Sequence, residues 1–110
     1  MTATALEREV FGTRFRNPVL LAAGTAGMGQ EVARVIDLDA LGGLVTKSVS
    51  VEPRAGNPAP RVAELRGAML NSVGLANPGL EVFQREVLPW LTRHVGSTRV
   101  LVSVVGRTVD

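Results

Sequence analysis

No cysteine occurs among the 110 residues, which removes disulfides, cysteine-ligated zinc and iron–sulfur ligation from this stretch and is neutral about redox compartment. A cytoplasmic setting is the default expectation. Long apolar runs are missing too: VLLAA at 19–23 is the longest and is strand-sized. The start MTATALEREVFGTRF carries Glu7 and Glu9, so neither a signal peptide nor a membrane-spanning helix is expected. Twelve basic against ten acidic residues leave a net charge of only +2, scattered along the chain, which argues against a nucleic-acid-binding stripe. There is one histidine, His94, with no His, Asp and Ser set and no metal-ligand cluster at workable spacing. His94 falls near the end of an expected helix, where it complements the C-terminal dipole.

What is present alternates short β-rich runs with helix-like stretches. That alternation, with 45% hydrophobic positions, predicts an α/β domain with a parallel sheet able to bury a core. Residues 19–23 read as a strand buried on both faces, entered through Asn17-Pro18 and stopped by Gly24. After the GTAGMG loop, the spacing of Val32, Val35, Ile36 and Leu38 predicts a helix over about 29–36. Gly42-Gly43 precedes a second strand, LVTKSVSV at 44–51, with Lys47 near its C-terminal end. Residues 52–77 read as a long proline-rich loop with a short hairpin around RVAELRGAML. Leu80, Phe83, Val87, Leu88 and Leu91 mark the apolar face of a second helix reaching about His94, with a kink or a fresh start at Pro89. VLVSVVG at 100–106 is the third strand, and RTVD at 107–110 would open another helix.

Three strands and two helices leave an open parallel sheet, whose edges are normally paired, covered or closed into a barrel. The economical expectation is the N-terminal portion, about three βα units, of a (β/α)8 TIM barrel, an architecture of roughly 250 residues. A small complete α/β domain is the alternative.

Four segments carry chemistry. GTAGMG, between a strand and a helix, could bring N–H groups to a phosphate or planar ring, but its glycine spacing does not match the dinucleotide fingerprint; a plain turn is the other reading. Lys47, at the strand end where parallel sheets build sites, could stabilise negative charge on a ligand or reduced cofactor, with Ser48 as a neighbouring donor; it could also be a lysine snorkelling to solvent. In RAGNPAPR (54–61), Arg54 and Arg61 are expected to tie the loop through carbonyls or carboxylates rather than bind an anion. In MLNSVGLANPG (69–79), Asn71 could read a ring bearing carbonyl and N–H groups, and consecutive N–H groups at Val73, Gly74 and Leu75 could hold a carboxylate. The competing reading of that run is a turn leading into a helix at Asn77-Pro78-Gly79.

Together NPVLLAAGTAGMG, LVTKSVSVEPRAGNPAPR, MLNSVGLANPGLEVF, LPWL and VLVSVVG resemble the N-terminal part of the dihydroorotate dehydrogenases, flavin enzymes of pyrimidine synthesis. GMGQEV and NPGLEVF…LPWL look more like the soluble NAD-linked type. The resemblance implies an FMN-dependent barrel that oxidises dihydroorotate to orotate, forms a homodimer, and associates with an electron-transfer subunit carrying FAD and a [2Fe–2S] cluster. Position by position it implies FMN contacts at Ala23, Gly24, Lys47, Ser48 and Ser103, and substrate contacts at Lys47, Asn71, Ser72, Val73, Gly74 and Leu75. Ala23 stands where the family commonly has serine, so only a backbone contact is expected there. The family's base, a Ser or Cys on a later loop, has no counterpart in these 110 residues, and the segment alone is expected to be inactive. A dihydropyrimidine dehydrogenase-like FMN domain, and a non-catalytic fragment or binding module, are the rival readings.

Overall fold

In the computed structural model, which describes residues 5–109, the chain opens with an antiparallel hairpin of β1 (Arg8–Val10) and β2 (Thr13–Phe15). It turns through Phe11 and Gly12, both at positive φ (49° and 72°). The sequence pattern did not announce this hairpin, because Arg-Glu-Val and Thr-Arg-Phe are too short to show a period of two. The Phe-Gly step was the available signal.

Three parallel strands follow: β3 (Leu20–Leu21), then β4 (Gly43–Val45), and after a long excursion β7 (Arg99–Leu101), with β4 in the middle. The register sets Leu21 beside Leu44 and Leu44 beside Val100. That face packs on the helical segment through Phe83, Val87 and Leu91, each at most 5% exposed, with Ala26, Met28 and Val49 completing the core. The excursion contains an antiparallel hairpin, β5 (Val62–Leu65) with β6 (Ala68–Asn71), as the sequence predicts.

The predicted helix at 79–94 is three pieces: α1 (Leu80–Val82), a π-helical turn (Phe83–Val87) and α2 (Leu88–His94). Val82, Phe83, Val87 and Leu88 all keep helical φ and ψ, so the pieces run on as one helix; Pro89 brings a π-helical turn before it rather than a fresh start, and that wide turn accommodates the missing N–H. Steps of four drift around a regular α-helix; the wide turn offsets that drift and keeps 83, 87 and 91 in line. Leu80 and Leu88, expected on the same face, are left 38% and 42% exposed.

Other expectations change. Residues 29–36 form turns rather than a helix, held by isolated bonds such as Ala33 N–H to Gly29 O (3.1 Å) and Ile36 N–H to Val32 O (3.0 Å). Three β-branched residues there have low helix propensity, and Val35, at 79% exposure, lacks a surface to pack on. The strand expected at 19–23 keeps only Leu20–Leu21 and is covered on one face: Leu20 and Leu101, on the opposite face, are 42% and 39% exposed. With Val10, Phe11, Phe15 and Pro18 they border an apolar groove of about 510 Å³. The strands at 44–51 and 100–106 shorten to β4 and β7, then continue as an isolated bridge between Val49 and Val104. Residues 107–109 are not helical, and Asp110 lies outside the described residues. The sheet is open at both edges, and the accessible surface of 8061 Å² exceeds the roughly 5,800 Å² typical of a compact monomer of this mass. No helix among the described residues is long and apolar enough to cross a membrane.

At the end of the sheet away from Lys47, Asp39 ties two connections together. It lies in a 3-10 turn (Leu38–Ala40) capped by Asp37. Its carboxylate accepts from the backbone N–H groups of Ser97 (2.8 Å), Thr98 (3.1 Å) and Gly96 (3.0 Å), while Arg16 donates to the Asp39 carbonyl and to Ser97 Oγ. These N–H groups, Ser97 first, hold the Asp39 carboxyl below its ordinary value. A lowered folded-state value contributes stability above the unfolded value and loses it as pH falls through the folded one. Asp39→Ala should therefore lower stability at pH 7 by about 1–2 kcal/mol, after allowance for solvent competition. In urea unfolding across a pH series, the gap from the unsubstituted chain should shrink below about pH 4; a gap independent of pH would contradict this assignment.

Candidate functional site

Beyond Val45, the chain of β4 runs on between two neighbours. Thr46 is fully buried; its N–H donates to Leu101 O (3.0 Å) and its hydroxyl oxygen accepts from Ser103 N–H (3.2 Å). Lys47 N–H turns the other way, to Gly27 O in the GTAGMG loop (2.8 Å), and Val49 N–H returns to Ser103 O (2.9 Å). This stitching brings Ser48 and Ser103 together, with a hydrogen bond of 2.8 Å between their hydroxyls.

Lys47 is half-buried, and its ammonium has no acceptor among the described residues. It lies over the turn at Gly24, where φ is +79° and a Cβ would stand 3.4 Å from both Cδ and Nζ of Lys47. Gly24 therefore provides the backbone conformation, and a side chain there would lie in van der Waals contact with the lysine. Ala23, beside it, is exposed and offers backbone groups only. An unpaired cation, a glycine-floored turn and a hydroxyl pair at the C-terminal end of a parallel sheet fit a planar ligand that carries or acquires negative charge.

A second group forms around the run from Asn71 to Leu75. Asn71 ends β6 opposite Val62, and its side-chain amide is exposed with no partner among the described residues. The run is fastened to the loop before the hairpin. Asn57 Nδ2 donates to Ser72 O (2.9 Å) and Ser72 Oγ (2.8 Å), Asn57 N–H donates to Val73 O (3.0 Å), and Ser72 N–H donates to Arg61 O (2.8 Å). Gly56 sits under this seam at φ +77°, where a Cβ would come within 2.3 Å of Val73 O. The N–H groups of Val73, Gly74 and Leu75 donate no hydrogen bond within the described chain, and Leu75 itself holds a positive φ of 56°.

The structure thus unites Gly24 with Lys47, and Ser48 with Ser103, and keeps Asn71 to Leu75 as a separate unit; no hydrogen bond joins the two groups among the described residues. A cavity of about 590 Å³ between the loops after β4 and β7 is lined by Arg54, Asn57, Gly74 and Arg107 among others, and not by Lys47.

Arg61 has the structural role expected, donating to Asn57 O (3.3 Å), while Arg54 pairs through its backbone with Asn77. His94 Nδ1 lies 2.8 Å from Trp90 O and its ring stacks on Trp90, which keeps it in the last turn of α2.

Two asparagines were not singled out by sequence reasoning as organisers of the site. Asn77, 9% exposed, accepts from the N–H groups of Ser50 (3.2 Å) and Gly79 (3.0 Å) and donates to Ser50 Oγ (2.9 Å) and Leu75 O (2.8 Å). It joins β4's extension, the Asn71–Leu75 run and the helix entry. Asn57 is the other. Both precede proline, the one local signal that marked them as turn residues.

The family model for dihydroorotate dehydrogenase matches residues 5–110. "Dihydroorotate dehydrogenase B (NAD(+)), catalytic subunit" of Streptococcus pneumoniae is 46% identical over 106 residues, 96% of this chain and 34% of that protein. The protein of the same name from Alkaliphilus metalliredigens is 43% identical over all of this chain and 36% of its own length. "Dihydroorotate dehydrogenase A (fumarate)" of Lactiplantibacillus plantarum is 48% identical over 90% of this chain and 32% of that protein. The chain thus spans about a third of the length of these curated relatives. A crystal structure of DHODH in complex with ferulenol from Eimeria tenella superimposes with a TM-score of 0.70 at 24% identity, over 90% of this chain and 27% of that one, a likeness of fold. The lysine strand, the turn beneath Lys47 and the asparagine loop lie within a match that covers nearly the whole chain, and the chain belongs to the dihydroorotate dehydrogenase family.

Proposed function

We propose that this chain supplies the first three parallel strands, with the helix between the second and third, of a (β/α)8 barrel that oxidises dihydroorotate to orotate in pyrimidine synthesis. The observation that carries the reading is Lys47: a cation without a partner among the described residues, held at the C-terminal end of the central parallel strand over Gly24. The open sheet edges and the uncovered face at Leu20 and Leu101 support the barrel. FMN, when bound, supplies the hydride acceptor. Ala23 and Gly24 hold it by backbone, Ser48 and Ser103 by their paired hydroxyls, and Lys47 stabilises negative charge on flavin and pyrimidine. Asn71 reads the ring, and the free N–H groups from Val73 to Leu75 take its carboxylate. The base that removes the substrate proton belongs to a later loop of the barrel.

The B-type names among the relatives support the NAD-linked form, a homodimer that passes electrons to a partner subunit carrying FAD and a [2Fe–2S] cluster.

The test is a chimera in which residues 5–109 replace the matching stretch of the Streptococcus pneumoniae catalytic subunit. It should oxidise dihydroorotate and prefer it to dihydrouracil. In that background Lys47→Ala should lower kcat by about 100-fold or more, and Asn71→Ala should weaken orotate binding by about tenfold. Preference for dihydrouracil, or unchanged kinetics in the Lys47 variant, would sink the reading.

A further inference from the structure

We propose that Asn57 is a positioning residue that sets the selectivity of the Asn71–Leu75 run for a carboxylate-bearing ring, an inference that rests on the function proposed above. Asn57 acts on the peptide groups of the run, taking the carbonyl of Ser72 through Nδ2 and the carbonyl of Val73 through its own N–H.

A trans peptide points its N–H opposite to its C=O. With the carbonyls of Ser72 and Val73 turned toward Asn57, the N–H groups of Val73 and Gly74 are aimed away from the 56–61 loop. Neither donates within the described chain. The same Nδ2 donates to Ser72 Oγ, which leaves the Ser72 hydroxyl proton to be given elsewhere. One exposed asparagine thereby turns two backbone donors away from its own loop and leaves a third, the Ser72 hydroxyl, free to donate, which suits gripping a carboxylate without a cation. The seam is close enough to require glycine on both sides: a Cβ on Gly56 would strike Val73 O, and one on Gly74 would come within 2.9 Å of Asn57 N.

The chimera above, loaded with FMN, tests this. Asn57→Ala should weaken orotate about tenfold while uracil, which lacks the carboxylate, binds as before, and KM for dihydroorotate should rise with kcat and FMN content within twofold. Asn57→Asp, of the same size but without the donor amide, should behave like the alanine variant, and it carries the test if Asn57→Ala does not fold. Combining Asn57→Ala with Ser72→Ala should cost less than the sum of the two. The proposal is overturned if orotate affinity stays within twofold, if Asn57→Asp behaves as the unsubstituted chimera, or if orotate, uracil and FMN are lost together. An unsubstituted chimera that binds no orotate would overturn the functional reading and this proposal with it.

Discussion

Both groups of candidate residues depend on the central strand. β4 is hydrogen-bonded on both sides, and its buried Leu44 and Thr46 leave the chain no freedom of register. A slip by one residue would drive Lys47 into the fully buried position of Thr46 and Leu44 into that of Gly43, where even a Cβ would stand 2.8 Å from the Leu20 side chain. Thr46 also does what another ladder bond would do: its hydroxyl takes the Ser103 N–H and sets β7's extension so that the two serine hydroxyls meet. The core on one face of the sheet and the chemistry at its end are consequences of the same pairing.

The second constraint is local. The Asn71–Leu75 run sits at the end of an exposed hairpin, where burial contributes little, and its shape comes from the seam with residues 56–61 and from Asn77 beneath it. A hydrophobic core fixes strands to a fraction of an ångström through packing. A loop on the surface has to be fixed by directed bonds, and each of these asparagines makes several. Positive φ at Leu75 costs energy that those bonds offset.

The parallel sheet, the β5–β6 hairpin and an irregularity of the second helix near Pro89 were all legible in the sequence, because each leaves a local mark: β-branched runs, a turn between alternating residues, a proline inside an apolar stripe. Membership of the family was legible as well, through the lysine strand and the asparagine loop taken together. Less visible were features set by partners distant in sequence. The stretch 29–36 has helical spacing, yet nothing covers Val35, so tertiary context decided against a helix. The β1–β2 hairpin is too short to show periodicity. Asn57 and Asn77 look like ordinary turn residues until their partners, 15 and 27 positions away, are known.

The account comes down to where the Lys47 ammonium points when a flavin and a pyrimidine are present. A crystal structure of the FMN-loaded chimera with orotate measures this directly. The account predicts Lys47 Nζ within about 3 Å of acceptors on both rings, with the Val73 and Gly74 N–H groups on the orotate carboxylate. A Lys47 side chain turned to solvent, with orotate held by other residues, would contradict it.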